Sequence, residues 1–182
     1  MKIFIETLGC KVNTYESEVI KSNFLNNGYD EANTLEEADV IIINTCSVTN
    51  QSDAKSRKVI RNAKRRNEKA IIAVCGCSSQ NHQKELLPLD IDILIGNKDK
   101  TKIVDMVNEY QKNHQKIVKF YDMKNTDFEN MLIKNYEDRT RAFVKIQDGC
   151  NNYCTYCIIP YLRGTIRNKD FNESVEEIKE LV

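Results

Sequence analysis

A recurring unit constrains this chain most: a short β-branched apolar run, then a polar turn, then an apolar stripe at helical spacing. Lys-Ile-Phe-Ile-Glu-Thr at residues 2–7 stops at Gly9, as a buried strand entering a tight loop would. From Thr14, a capping residue, the stripe Tyr15, Val19, Ile20, Phe24 and Leu25 predicts a helix that ends at Gly28. The unit then repeats. Val40, Ile41, Ile42 and Ile43 form a second run, after which Ser52 or Asp53 can cap a helix reaching about Arg66. Residues 70–74 give a third strand and 91–95 a fourth, the latter followed at Asp99 by a helix through Ile103, Val104 and Val107. Strands alternating with helices require crossover connections. The expected class is therefore α/β, a mainly parallel sheet with helices on both faces, of Rossmann or flavodoxin-like type.

This topology gives three scattered cysteines a common address. Loops at the carboxyl ends of parallel strands gather along one edge, where such folds place ligands. Cys10, Cys46 and Cys77 each follow a different expected strand by a few residues. For one cysteine packing is the simpler reading; for three in equivalent loops a shared metal site is expected. Cys75, at the end of the third strand, is read as buried packing, while Cys77 lies beyond Gly76, where a loop can approach a cluster closely. A set with Cys75 as ligand in place of Cys77 stays open.

A second cysteine set is local. Cys150, Cys154 and Cys157 are separated by three and then two residues and flanked by the polar turn residues Asp148, Gly149, Asn151 and Asn152. Three thiolates so spaced converge only if the backbone wraps one small object, and they suit soft metals. An iron-sulfur cluster, a zinc ion and plain packing all remain possible. Structural zinc takes four protein ligands, and no fourth cysteine or histidine lies close by in sequence. Three cysteines on a four-iron cluster leave one iron open to a substrate or cofactor.

The remaining sequence bounds the alternatives. The 182 residues carry zero formal charge, so the molecule as a whole offers no field that draws in nucleic acid; local patches would have to. The apolar runs are too short to cross a bilayer, no signal-peptide pattern opens the chain, and seven cysteines in a reducing compartment argue for metal or catalysis over disulfides. A cytoplasmic protein without membrane contact is expected. Arg57, Arg61 and Arg65 lie four apart on one helix face, to be read either as phosphate contacts or as a solvated surface. His82 and His114 are isolated and read as surface residues. Residues 114–140 read as a connector, with some strand around 117–121; 142–147 predict a strand leading into the local cysteine set, and a helix starts at Asn172 or Ser174.

With both sets in view, the sequence resembles the radical S-adenosylmethionine (SAM) methylthiotransferases. Thr7-Leu8-Gly9-Cys10-Lys11-Val12-Asn13 and Asn44-Thr45-Cys46-Ser47-Val48-Thr49-Asn50 are similar to the first two motifs of the branch acting on threonylcarbamoyladenosine in tRNA. Sister branches, acting on isopentenylated adenosine or on a ribosomal protein, carry Gln-Met or Pro-Lys in place of Lys11-Val12. Gly76-Cys77-Ser78-Ser79-Gln80 resembles the third motif, with Ser78-Ser79 where an aromatic-Ala pair is usual, and Ile159-Pro160-Tyr161-Leu162-Arg163-Gly164 resembles the segment after the radical SAM cysteines.

The resemblance implies an N-terminal methylthiotransferase domain at 1–113, a connector at 114–140, and at 141–182 the truncated start of a radical SAM partial β/α barrel. It implies two 4Fe-4S clusters and SAM. The cluster on Cys10, Cys46 and Cys77 would handle the inserted sulfur, and that on Cys150, Cys154 and Cys157 would cleave SAM, with Tyr156 near the SAM adenine. Tyr156 read from the residues alone is equally a core aromatic. The implied partners are the tRNA anticodon stem-loop, an electron donor protein and a sulfur donor, acting on a monomer. This piece, holding the barrel's first strand and about one helix, is expected not to turn over alone.

Overall fold

The computed structural model describes residues 1–133 and 141–181. The end of the expected connector, at 134–140, and Val182 lie outside the described residues.

Strand β1 (Lys2–Thr7) leads into helix α1 (Lys11–Asn26), and a two-residue strand β2 (Asp30–Glu31) follows. A short 3-10 turn then precedes β3 (Val40–Thr45), α2 (Asn50–Arg66), β4 (Ile71–Gly76) and the short helices α3 (Cys77–Asn81) and α4 (Gln83–Leu86). Next come β5 (Ile93–Ile95), α5 (Ile103–Asn113) and β6 (Ile117–Lys119). All six strands pair in parallel, in the order β2-β1-β3-β4-β5-β6. This is the flavodoxin-like order, which reverses direction between β1 and β3.

The central strands are apolar on both faces because both faces are covered. Along β3, Val40 and Ile42 point to a core closed by Ile20 and Phe24 of α1 and Ile103 and Val107 of α5. Ile41 and Ile43 point the other way, onto Ile60 and Ala63 of α2 and Leu86 of α4. Each fully buried isoleucine contributes roughly 1.5–3 kcal/mol by leaving water.

Several boundaries differ from the sequence expectation. Helix α1 starts at Lys11 with Cys10 as its N-cap, one turn before Thr14, whose hydroxyl donates back to the Cys10 carbonyl at 3.4 Å inside the helix. Helix α2 is capped by Thr49, whose Oγ1 accepts from the Ser52 amide at 3.1 Å, so Ser52 and Asp53 sit in its first turn. The stretch 142–147 is not a strand over its length: only β7 (Gln147–Asp148) pairs, antiparallel, with β8 (Arg167–Asn168). A barrel strand draws its hydrogen bonds from parallel neighbours, and among the described residues none flanks this segment. Beyond it, α6 (Ile159–Arg163) and α7 (Phe171–Glu180) follow; α7 is capped by Asp170, which accepts from the Asn172 and Glu173 amides, and not by Asn172 or Ser174.

Residues 131–133 and parts of 141–181 dock on α1. Tyr15 and Val19 pack with Met131 and Ile133, with Phe143 and Leu181 against them. The Tyr15 hydroxyl bonds the Met131 carbonyl (2.7 Å) and Glu177 (2.8 Å), and Glu177 also pairs with buried Lys169.

Candidate metal centre

Cys10 follows β1, Cys46 directly follows β3, and Cys77 directly follows β4 as the first residue of α3. These three strands are adjacent in the sheet, so the loops share one edge, with the outer two about 10 Å apart at two strand spacings. Cys10 and Cys46 flank the crevice at the switch point, where open α/β sheets bind ligands. Cys10 is exposed; Cys46 and Cys77 are buried. At Gly9, with φ +102°, a Cβ would fall 2.6 Å from Cys46 Sγ, so the first loop's backbone lies directly against the second loop's sulfur. Gly76, with φ +104°, turns the chain from β4 into α3 and presents Cys77.

Buried amides and hydroxyls lace these loops together. Asn13 Nδ2 donates to the carbonyls of Leu8 (2.7 Å) and Thr45 (2.9 Å), tying the Cys10 loop to the end of β3. Asn44 Nδ2 donates to the Asn13 carbonyl (3.0 Å), and Thr45 Oγ1 donates to the Cys75 carbonyl (2.6 Å) while accepting from the Ser79 amide (3.2 Å). Cys77 Sγ has Asn97 Nδ2 at 3.5 Å. Cys75 faces the α1/α5 core, where burial pushes its thiol up to about 12; a thiol held protonated is a poor metal ligand.

The second set lies on an exposed loop. Cys154 is exposed, Cys150 and Cys157 are half-buried, and Tyr156 is 91% exposed, standing clear of the core. The loop closes at its base through the Cys150 amide on the Gly164 carbonyl (3.0 Å) and internally through the Cys157 amide on the Cys154 carbonyl (2.9 Å). The rings of Tyr153 and Tyr161 meet edge to face, 5.8 Å apart. Among the described residues no three or more Cys, His, Asp or Glu side chains stand in the compact geometry of a single metal ion. A four-iron cluster takes one thiolate per iron and so spans donors set wider apart.

Between the two sets lies a buried charge cluster that the sequence reading missed. Glu16 of α1 accepts from Arg163 Nη1 (2.9 Å) and Nη2 (3.2 Å), from Lys145 Nζ (3.0 Å) and from Lys100. Asp148 takes Lys145 (3.0 Å) and Arg163 (3.1 Å), and Arg163 Nη2 also reaches Asn13 Oδ1 (3.0 Å). Burial would raise the Glu16 carboxyl, but Arg163, Lys100 and Lys145 outweigh it and hold it well below the usual range. Asp148 is lowered for the same reason, with Arg163 and Lys145 overcoming its burial. Arg167 also approaches Asp148, at 3.9 Å, so four cations face two carboxylates and the cluster is net positive. Burial works against the charge on Arg163, but Glu16 above all, with Asp148, outweighs it and holds the guanidinium protonated. Ser78 Oγ, next to Cys77 and buried, has no hydrogen-bond partner among the described residues. Soft thiols, a net positive cluster behind them and the unpartnered Ser78 hydroxyl fit an anionic iron-sulfur group. The signal available in the sequence was Glu16 itself, three and four residues before Val19 and Ile20 on the buried stripe.

The basic face of α2 is partly neutralised within the chain: Arg57 pairs with Glu85 (3.2 Å), Lys64 with Asp90 (3.0 Å) and Arg66 with Glu36. His82 sits between Asp53 (3.1 Å) and Glu85 (3.0 Å).

The family described as Uncharacterized protein family UPF0004 matches residues 2–96, more than half of the chain. The chain belongs to this family. Its UPF0004 region spans β1 to β5 and carries Cys10, Cys46, Cys75 and Cys77, while the second set lies beyond it. Over 182 residues the chain is 42% identical to the threonylcarbamoyladenosine tRNA methylthiotransferase MtaB of Bacillus subtilis (strain 168), covering 99% of this chain and 40% of the relative. It is 38% identical to the MtaB of Aquifex aeolicus (strain VF5), over 98% of this chain and 44% of the relative. To the tRNA-2-methylthio-N(6)-dimethylallyladenosine synthase of Clostridium tetani (strain Massachusetts / E88) it is 35% identical, over 98% and 41%. This UPF0004 chain thus spans between 40% and 44% of the length of these curated relatives.

Proposed function

We propose that this protein is a tRNA methylthiotransferase that places a methylthio group on carbon two of threonylcarbamoyladenosine beside the anticodon by radical SAM chemistry. The observation that carries the reading is the place of Cys10, Cys46 and Cys77 at the carboxyl ends of three adjacent strands, the first two flanking the switch point. These thiolates would hold a 4Fe-4S cluster serving the inserted sulfur, and Cys150, Cys154 and Cys157 a second one that takes SAM. When bound, that second cluster and SAM supply a radical able to attack an aromatic C–H, which lies far outside general acid-base range. The chain's own groups bind and orient: Asn13 and Thr45 fix the loops of the first set, and the Cys150–Gly164 bond fixes the base of the second. Tyr156, exposed beside Cys157, is free to lie against the SAM adenine. The higher identity to the MtaB proteins of Bacillus subtilis and Aquifex aeolicus and Lys11-Val12 in the first motif favour the threonylcarbamoyl substrate over the dimethylallyl one. We place the protein in the cytoplasm, working as a monomer on the anticodon stem-loop with an electron donor protein and a sulfur donor.

Anaerobic reconstitution with iron and sulfide tests the centres. The chain should take up about eight irons with brown thiolate-to-iron absorbance, as two four-iron clusters require. Cys10→Ala and Cys150→Ala should each remove about half of that iron. A colourless protein that binds only zinc would defeat the proposal.

A further inference from the structure

Asn97 stands just past β5, buried, with every polar atom of its side chain engaged. Oδ1 accepts from Lys100 Nζ at 3.3 Å; Nδ2 donates to the Leu162 carbonyl at 3.0 Å and faces Cys77 Sγ at 3.5 Å, with Oδ1 3.8 Å from the same sulfur. The amide's orientation is chemically determined. An ammonium can only donate and a carbonyl can only accept, so a flip would set two donors and two acceptors face to face. The second N–H of Nδ2 is thus left to face the sulfur at 3.5 Å. Leu162 precedes Arg163 in α6, the helix that directly follows the local cysteine set and packs on α3 behind Cys77.

We propose that Asn97 is a positioning residue for the centre on Cys10, Cys46 and Cys77, donating a hydrogen bond to the Cys77 thiolate and linking that ligand to the loop of the second set through Leu162. The proposal rests on the cluster assignment above. A donor to a ligating sulfur stabilises the more negative state, so it raises the reduction potential of the group held there and strengthens its retention. Lys100, donating to Oδ1, holds the Asn97 amide with its Nδ2 turned to that sulfur.

The test uses the reconstituted 182-residue chain and its Asn97→Ala and Asn97→Asp variants. Asp retains the acceptor for Lys100 and removes both N–H donors. Dithionite titration followed by electron paramagnetic resonance reads each cluster's potential, with Cys150→Ala and Cys10→Ala backgrounds separating the two, and iron release to a chelator reads retention. Both variants should lower the potential of the first cluster and release its iron at least about tenfold faster, the usual scale for a lost outer-shell partner, with the second cluster unchanged. Loss of the first cluster alone counts for the proposal as well. Parental behaviour at both clusters, or equal damage to both, would overturn it, the latter exposing a merely structural role. A parent chain that loads no cluster on Cys10, Cys46 and Cys77 would sink the underlying assignment and this inference together.

Discussion

Glu16 shows how one residue can join two parts of a chain. It lies on the buried face of α1, where an unpaired carboxylate would cost several kcal/mol, and three cations from three separate segments meet it there. Glu16→Gln should destabilise the protein by about 3–5 kcal/mol, because it leaves buried cations uncompensated; urea unfolding would show a lower midpoint at unchanged slope. The pH dependence follows from the same pairs. The folded carboxyls of Glu16 and Asp148 lie below their ordinary 4.5 and 3.8, so between the folded and unfolded values the unfolded chain binds more protons. Their stabilisation is complete above about pH 4.5 and fades as pH falls through the folded values. Lys145 is raised above its ordinary 10.5, against its burial, by Glu16 and Asp148, so its share is complete below that pH and is lost on the alkaline side. Stability measured against pH should be flat across neutrality, and Glu16→Gln should blunt the acid fall. Gly9 is the other decisive position. Gly9→Ala meets both a left-handed backbone and Cys46 Sγ, so it should cost about 1–3 kcal/mol and reduce iron uptake at the first set while sparing the second.

Among the elements, α1 and α2 show why helix ends are harder to place than helix bodies. Apolar spacing marks the stripe, but the cap is chosen by which side chain meets the first free amides, a matter of one or two residues. At α2 this is Thr49, held where β3 and its loop deliver the chain. Thr49→Ala should therefore cost about 1 kcal/mol and lower the melting temperature by about 2–4 °C, while Asp53→Ala removes no cap. The stretch 142–147 illustrates the converse. Ala-Phe-Val-Lys-Ile-Gln has strand composition, but a strand is completed by its neighbour, and only Gln147 and Asp148 find one. Within the same stretch Lys145 turns inward to Glu16 and Asp148.

At the scale of the whole molecule, α1 is the strut between the sheet and the segment that carries the second cysteine set. Tyr15 holds Met131 and Glu177, and its neighbour Glu16 holds Lys145 and Arg163. Arg163→Met should loosen this docking without unfolding the sheet. Hydrogen exchange should speed up in residues 147–168, while the amides of β3 and β4 keep their protection.

The sequence alone determined the parallel α/β sheet, because strands buried on both faces leave continuous apolar runs at 40–43 and 71–74 and the crossovers leave helical stripes between them. It also placed Cys10, Cys46 and Cys77 in equivalent loops, since a parallel sheet returns every strand's end to one edge. Tertiary structure alone decided the short β2, the true caps, and the pairing of Glu16 with Arg163 and of Asn97 with Cys77. Periodicity is a local property that a sequence displays directly. A hydrogen bond between residues 147 positions apart depends on the path of everything between them, and no spacing rule carries it.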